Sequence, residues 1–131
     1  MKVVLAQINP TVGALKNNAL KIKGIIQEYT GKCNIIVFPE MVLTGYPPQD
    51  LLLDNSFIKK AEVMLEEIAA LVGVTPVIIG TIRKESDNLF NTAAVLQDGV
   101  IAAYRDKTHL PTYDVFDEDR YFTSAKSIKP V

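Results

Sequence analysis

At 131 residues the chain has room for one domain and not two, and 48% hydrophobic against 22% charged residues is the balance of an ordinary globular protein. A net charge of −1 excludes a basic field for nucleic acid and an acidic tail, and the longest apolar runs fall far short of a membrane span. A lone cysteine, Cys33, excludes an internal disulfide and fits a reducing, cytoplasmic setting.

The first predicted element is a strand over 2–8, KVVLAQI, running into a turn at NPTVG. Its apolar stretch is too short for a signal peptide and lacks a small-residue cleavage site. From 14 to 29 the residues Leu15, Ala19, Ile22, Ile25 and Ile26 recur at spacings of three and four. That spacing predicts an amphipathic helix, closed by Gly31. CNIIVF (33–38) is a short continuous apolar run, the pattern of a parallel strand buried on both faces.

After a proline-rich loop, Asp54 or Asn55 is placed to cap a second helix running to about Leu71. Its expected buried stripe is Ile58, Ala61, Leu65, Ile68 and Leu71, with Gly73 as the stop. TPVIIGTI (75–82) reads as a third strand. LFNTAAVLQ and VIAAYR flank Asp98-Gly99, a strong two-residue hairpin signal. From Asp106 the chain is polar and irregular, ending in KSIKPV. The order βαβαβ plus a hairpin predicts an α/β fold: a mostly parallel sheet, right-handed crossovers and helices on its outer face.

Ligands of such sheets gather at the carboxyl ends of the strands, where Glu40 follows the second strand. Pro39 before it and Pro47 and Pro48 after it restrict the backbone, and a fixed carboxylate makes the better general base. An acid in that place is most often just solvated. Lys107 also stands where a strand meets a loop, as a surface lysine or as an ammonium able to stabilise charge on a substrate oxygen. YDVFDEDRYF (113–122) packs four aromatics and four acids into ten residues, which suits a solvated loop or a pocket wall with Glu118 facing an amine or a lysine. Cys33 lies at the amino end of its strand, the wrong end for a nucleophile, and reads as structural. His109 is given no chemical role, and no Cys/His spacing suggests a metal site.

VFPEMVLTGYPPQDLL and DKTHLPTYDVFDEDRYF, with the amino-terminal VVLAQINPTVGALKNNALKI, resemble the nitrilase (carbon–nitrogen hydrolase) superfamily. Within it, the longer segments are most similar to the glutamine-hydrolysing domains of glutamine-dependent NAD synthetases, and the likeness covers essentially the whole chain. The resemblance implies a nitrilase-like α-β-β-α sandwich, of which residues 1–131 are only the N-terminal part. It implies a Glu–Lys–Cys triad with Glu40 as general base and Lys107 steadying the oxyanion. It implies Tyr113 as a glutamine-binding residue, with Tyr46 and Glu118 lining the pocket. Glutamine is the implied substrate, and the implied partners are a C-terminal synthetase domain and further copies of the chain, with no nucleic acid or membrane. No cofactor is implied for this domain; ATP, magnesium and deamido-NAD belong to the synthetase domain that receives the ammonia.

The sequence departs from the family at the nucleophile. In relatives the cysteine follows the DEDRYF loop on a later strand, and no cysteine follows that loop here. The expectation is a piece of a longer protein, inactive alone, whose isolated sheet would leave one face and an edge uncovered. Three alternatives stay open: another amidase branch of the family, a non-catalytic interaction module, and a flavodoxin-like or receiver-like domain. The last is disfavoured because AQINPTVG offers neither the acids of a receiver nor the phosphate loop of a flavin binder.

Overall fold

The computed structural model describes residues 1–114 and 116–127. The expected approach of KSIKPV to a further strand lies, from residue 128 on, outside them. The elements in chain order are β1 (Val3–Leu5), α1 (Leu15–Tyr29), β2 (Ile35–Val37), a 3-10 turn (Gln49–Leu53), α2 (Asn55–Ala69), β3 (Val77–Glu85), β4 (Asn88–Gln97), β5 (Val100–Asp106) and a second 3-10 turn (Glu118–Arg120). Among these residues no helix is long and apolar enough to cross a membrane.

The five strands form one sheet in the order β1-β2-β3-β4-β5. The first two pairings are parallel and the last two antiparallel, so the sheet is mixed rather than mostly parallel. The difference arises at Arg83 and Lys84, where the apolar run ends but the strand does not. Arg83 lies over the rings of Phe90 and Tyr104 and grips Asp106 with two nitrogens, at 3.2 and 2.6 Å. Its charge is thereby built into the sheet, and β3 continues to Glu85. Only two residues then separate β3 from β4, too few for a crossover, so β4 returns antiparallel. The Asp98-Gly99 hairpin forms as read, with both residues at positive φ (50° and 82°).

Both helices cover one face of the sheet. Leu15, Ala19, Ile22 and Ile26 of α1 and Ile58, Ala61, Leu65 and Ile68 of α2 are buried with Ile36, Val77, Ile79, Ala94 and Leu96 of the strands. Asp54 caps α2, its carboxylate accepting from Ser56 N at 2.8 Å. The helix ends at Ala69, before the stop expected at Gly73, and the chain bends there. Leu71 consequently points to solvent, and Val72 takes the buried place expected of it. The other face carries Val3, Leu5, Val37, Ile78 and Val95, and Leu5 is 76% exposed. An uncovered apolar face is what half of a sandwich presents.

A buried amide and a glycine inside this core position the segment after β2. Asn18, fully buried on α1, accepts from Thr11 N at 2.9 Å and donates to Thr11 O and Leu43 O at 2.8 and 3.0 Å. It joins the turn after β1 to the turn after β2. Gly80, inside β3, lets that second turn pass over the sheet: a Cβ there would sit 2.3 Å from Pro39 O and 2.5 Å from Glu40 Cα.

Asn18→Ala strands the amide and the two carbonyls it served and is expected to lower stability by about 1–3 kcal/mol, read from the urea midpoint. Gly80→Ala is expected to cost about 1–3 kcal/mol by the same measure, because backbone must move to admit one methyl. Gly24→Ala, in α1 with nothing within 4 Å of the added carbon, is expected to be neutral or to stabilise by up to about 1 kcal/mol. Equal midpoints for the two glycine variants would refute the crowding at Gly80.

Candidate active site

Glu40 opens a turn whose next three residues, Met41, Val42 and Leu43, are fully buried. Met41 adopts a positive φ of 46°, and Gly45 N donates to Met41 O at 2.8 Å, closing the turn. Gly45 itself packs so closely on Val12 that a Cβ would meet its backbone at 2.6 Å. The apolar triplet and these backbone contacts fix the carboxylate, more than the prolines to which the sequence pointed.

Lys107 is the first residue beyond β5. Its amide donates to Asn91 O at 2.8 Å and its carbonyl accepts from Ala125 N at 3.0 Å, so the backbone is tied on both sides. The loop beyond returns through the Glu118–Arg120 turn and is pinned by buried Phe122 and by Thr123 N donating to Leu89 O at 2.8 Å. Glu118, 5% exposed, is thereby carried under Lys107.

The side chains meet. Lys107 Nζ lies 2.9 Å from Glu40 Oε1 and 3.1 Å from both oxygens of Glu118, and donates to Oε1 of each. Tyr46 OH donates to Glu118 Oε1 at 3.4 Å. Glu118 Oε2 is sealed from solvent and receives no hydrogen bond among the described residues, so the nearby ammonium offsets its charge without an aligned N–H. Asn91, buried on β4, donates its side-chain amide to Glu40 Oε1. Burial alone would lower the pKa of Lys107, but the hydrogen bonds and charges of Glu40 and Glu118 outweigh it and hold the group above its usual 10.5. Burial, followed by the charges of Glu118 and Glu40, raises the Tyr46 phenol above 10.0, so it keeps its proton at neutral pH.

Four of the five residues singled out from sequence thus converge: Glu40, Lys107, Glu118 and Tyr46. Tyr113 does not join them; it is 69% exposed, with its ring edge-on to Phe116 at 5.7 Å. Sequence reasoning missed Asn91 and Gly80, although each carries a signal, an amide and a glycine inside apolar strands. It also missed the brace between the two loops that bear Tyr46 and Glu118, in which Tyr121 OH donates to Asp50 Oδ1 at 2.6 Å. Cys33 lies at the opposite end of β2 from Glu40, its thiol 3.5 Å from Tyr29 O. Among the described residues no group of three or more His, Cys, Asp or Glu stands together to hold a metal.

Two cavities flank the cluster. One of about 320 Å³ lies beside Tyr46, Asp50, Glu118 and Tyr121. The other, also about 320 Å³, lies over Gly80, beside Glu40, Asn91, Arg105 and Lys107, and includes Phe38 and Ile78 of the uncovered sheet face. The Lys107–Glu118 pair links their walls. A paired acid and ammonium between two cavities can move a proton and stabilise an anion.

The carbon–nitrogen hydrolase family matches residues 2–131. A glutamine-dependent NAD(+) synthetase of Synechocystis sp. is 42% identical over 132 residues, a match covering 94% of this chain and 24% of that protein. The crystal structure of a glutamine-dependent NAD(+) synthetase from Cytophaga hutchinsonii superposes with a TM-score of 0.89 at 26% identity, over 95% of this chain and 22% of that one. An amidase from Nesterenkonia sp., at 18% identity and a TM-score of 0.81, matches 99% of this chain and 50% of its own, and so shares the fold. The chain therefore spans about a quarter of the length of the synthetases it matches. With the acid–ammonium pair set at the strand ends and the family's pattern running from residue 2 to residue 131, the chain belongs to the carbon–nitrogen hydrolase family.

Proposed function

We propose that this chain is the amino-terminal part of the glutamine-hydrolysing domain of a glutamine-dependent NAD synthetase, and that Glu40 and Lys107 are its acid–base and oxyanion groups. The observation that carries the reading is the Lys107 ammonium, held between Glu40 and Glu118 at 2.9 and 3.1 Å. The relatives' names supply the substrate, since a synthetase that depends on glutamine must release ammonia from it.

An amide is a poor electrophile, and a thiolate divides its hydrolysis into acylation and deacylation. The thiol comes from outside these 131 residues, because Cys33 is on the wrong side of β2. In the acylation step Glu40 takes the thiol proton, and the sulfur pair attacks the carboxamide carbon. The carbonyl oxygen becomes an oxyanion facing Lys107. Collapse breaks the C–N bond, and the proton on Glu40 leaves with the nitrogen as ammonia. Water then attacks the thioester, giving its proton to Glu40, and glutamate and the free thiol are restored. Glu118, held in turn by Tyr46, holds Lys107, both line the cavity on the far side, and Tyr113 completes the glutamine pocket once substrate is present. ATP, magnesium and deamido-NAD act in the synthetase domain, with no step at these residues. The same reading includes a homo-oligomer joined through helix faces, where Leu20 and Val63 stand exposed.

The test is ammonia release from glutamine, asparagine and simple amides by the parent polypeptide and by the 131-residue chain. Glutamine turnover by the parent, reduced about 10²–10⁴-fold by Glu40→Gln or Lys107→Met, is expected, with none by the chain alone. Preference for another amide would move the assignment to a different branch, and turnover by the chain alone that Glu40→Gln abolishes would remove the need for an outside thiol.

The ion pairs also predict an alkaline signature. Folding raises the Lys107 pKa above 10.5, so the folded chain holds that proton more tightly than the unfolded one. Its contribution is whole below pH 10.5 and is lost as the pH climbs through the higher folded value. Urea midpoints measured across that range should fall with pH, less steeply in Lys107→Gln. Tyr46, also raised, titrates in the same sense, so a smaller fall with pH remains in that variant.

A further inference from the structure

Glu40 is held by one oxygen only. Its Oε1 receives both the Lys107 ammonium and the Asn91 side-chain amide, while Oε2 accepts nothing among the described residues. The Glu40 side chain is 46% exposed beside the cavity over Gly80, so Oε2 is the oxygen left open. We infer that Asn91 is a positioning residue, which by occupying Oε1 makes Oε2 the atom that exchanges the proton. The inference rests on the reading of Glu40 as the base and deepens it.

Three observations bear on this. First, Asn91 reaches both charged partners through different atoms: its side chain holds Glu40, and its carbonyl accepts from Lys107 N at 2.8 Å. A shift of this one residue would displace acid and ammonium together. Second, Asn91 is only 4% exposed, paired across the sheet with Ile82 and preceded by Phe90, and burying an amide there costs more than burying an aliphatic side chain of similar size. Packing alone does not ask for an amide at this position, and the half-exposed carboxylate has water as an alternative partner. Third, an amide donor does not titrate, so it stays in place while Glu40 passes between its two forms, whereas a hydroxyl could turn from donor to acceptor.

The chemistry follows from where the lone pairs are. With two donors on Oε1, that oxygen's acceptor sites are engaged and carry much of the carboxylate charge. Oε2 keeps its own pairs free for a proton arriving from the cavity side. In the acylation step the S–H bond breaks, its electron pair stays on sulfur, and the O–H bond forms on Oε2. Lys107 keeps its contact with Oε1 throughout, and so remains placed for the oxyanion. Without Asn91 the carboxylate can rotate about its last bond and offer Lys107 either oxygen, so that productive alignment becomes one state among several.

Two measurements test this. In the 131-residue chain, the Asn91 side-chain amide protons should resonate downfield and move when Glu40→Gln removes the charged acceptor; no movement would overturn the contact. In the parent polypeptide, Asn91→Leu keeps the branched shape and removes both donors, and Asn91→Ala removes the group. Each should lower kcat for glutamine about 10²-fold while KM stays within about twofold, with the urea midpoint of the leucine variant near that of the wild type. A kcat unchanged in Asn91→Leu, in a parent that hydrolyses glutamine normally, would overturn the positioning role alone. A wild-type parent inactive on every amide would overturn the reading of Glu40, and this inference with it.

Discussion

The arrangement depends on one ammonium placed between two carboxylates. Glu118 is almost wholly enclosed, and a carboxylate in that position is costly unless a cation and hydrogen bonds replace its water. Lys107 supplies the cation and Tyr46 the further donor. Glu40, more open, takes the remaining side of the ammonium. Three segments distant in sequence are thereby obliged to meet: the turn after β2, the end of β5 and the loop that returns through Glu118. The pair gives little net stability once desolvation is counted. Its effect is on geometry, because no other placement of these loops leaves the buried charge matched.

That geometry needs a backbone that can hold it, and here packing matters more than polar contacts. Met41, Val42 and Leu43 sink into the core directly behind Glu40, so the carboxylate cannot swing away without exposing them. Gly80 lowers the sheet by one methyl group where the turn passes over it. Asn18 ties that turn to the one after β1 through three hydrogen bonds. A missing side chain, a buried amide and an apolar triplet together do what the prolines of the loop were expected to do.

Much of this was legible in the sequence where a residue's role is repeated or local. The helical stripes announced themselves by their spacing and the Asp98-Gly99 turn by the conformation only such residues adopt readily, whereas Glu40 and Lys107, at strand ends where a solvated side chain is the commoner case, were singled out by the resemblance to the family. What escaped depends on a single distant neighbour. The end of β3 was read too early because Arg83 looks like a strand terminator until Asp106, Phe90 and Tyr104 are seen beside it. The antiparallel pairing of β3 with β4 was missed along with it. Leu71 and Val72 exchanged places because the periodicity was carried past the point where the helix actually stops. Asn91 is one of several polar letters in its strand, and only the register of β4 with β5 shows that it serves both charges.

The cavity over Gly80 bears on how such a pair stays in place. It is lined by Glu40, Asn91 and Lys107 at one end and by Ile78 and Phe38 on the floor, and it runs onto the sheet face where Leu5, Val37 and Ile78 are only partly covered. The acid and the ammonium neutralise one another, so they are stable in place before any thiol arrives. A second sheet laid on that face would bury the apolar residues. Under the proposed function the outside thiol must reach Glu40 from this cavity, so coverage of the apolar face and delivery of the thiol would be a single packing event, driven by the hydrophobic surface rather than by the chemistry. The charged pair has only to be waiting at the right height above the sheet, and the absent side chain of Gly80 sets that height.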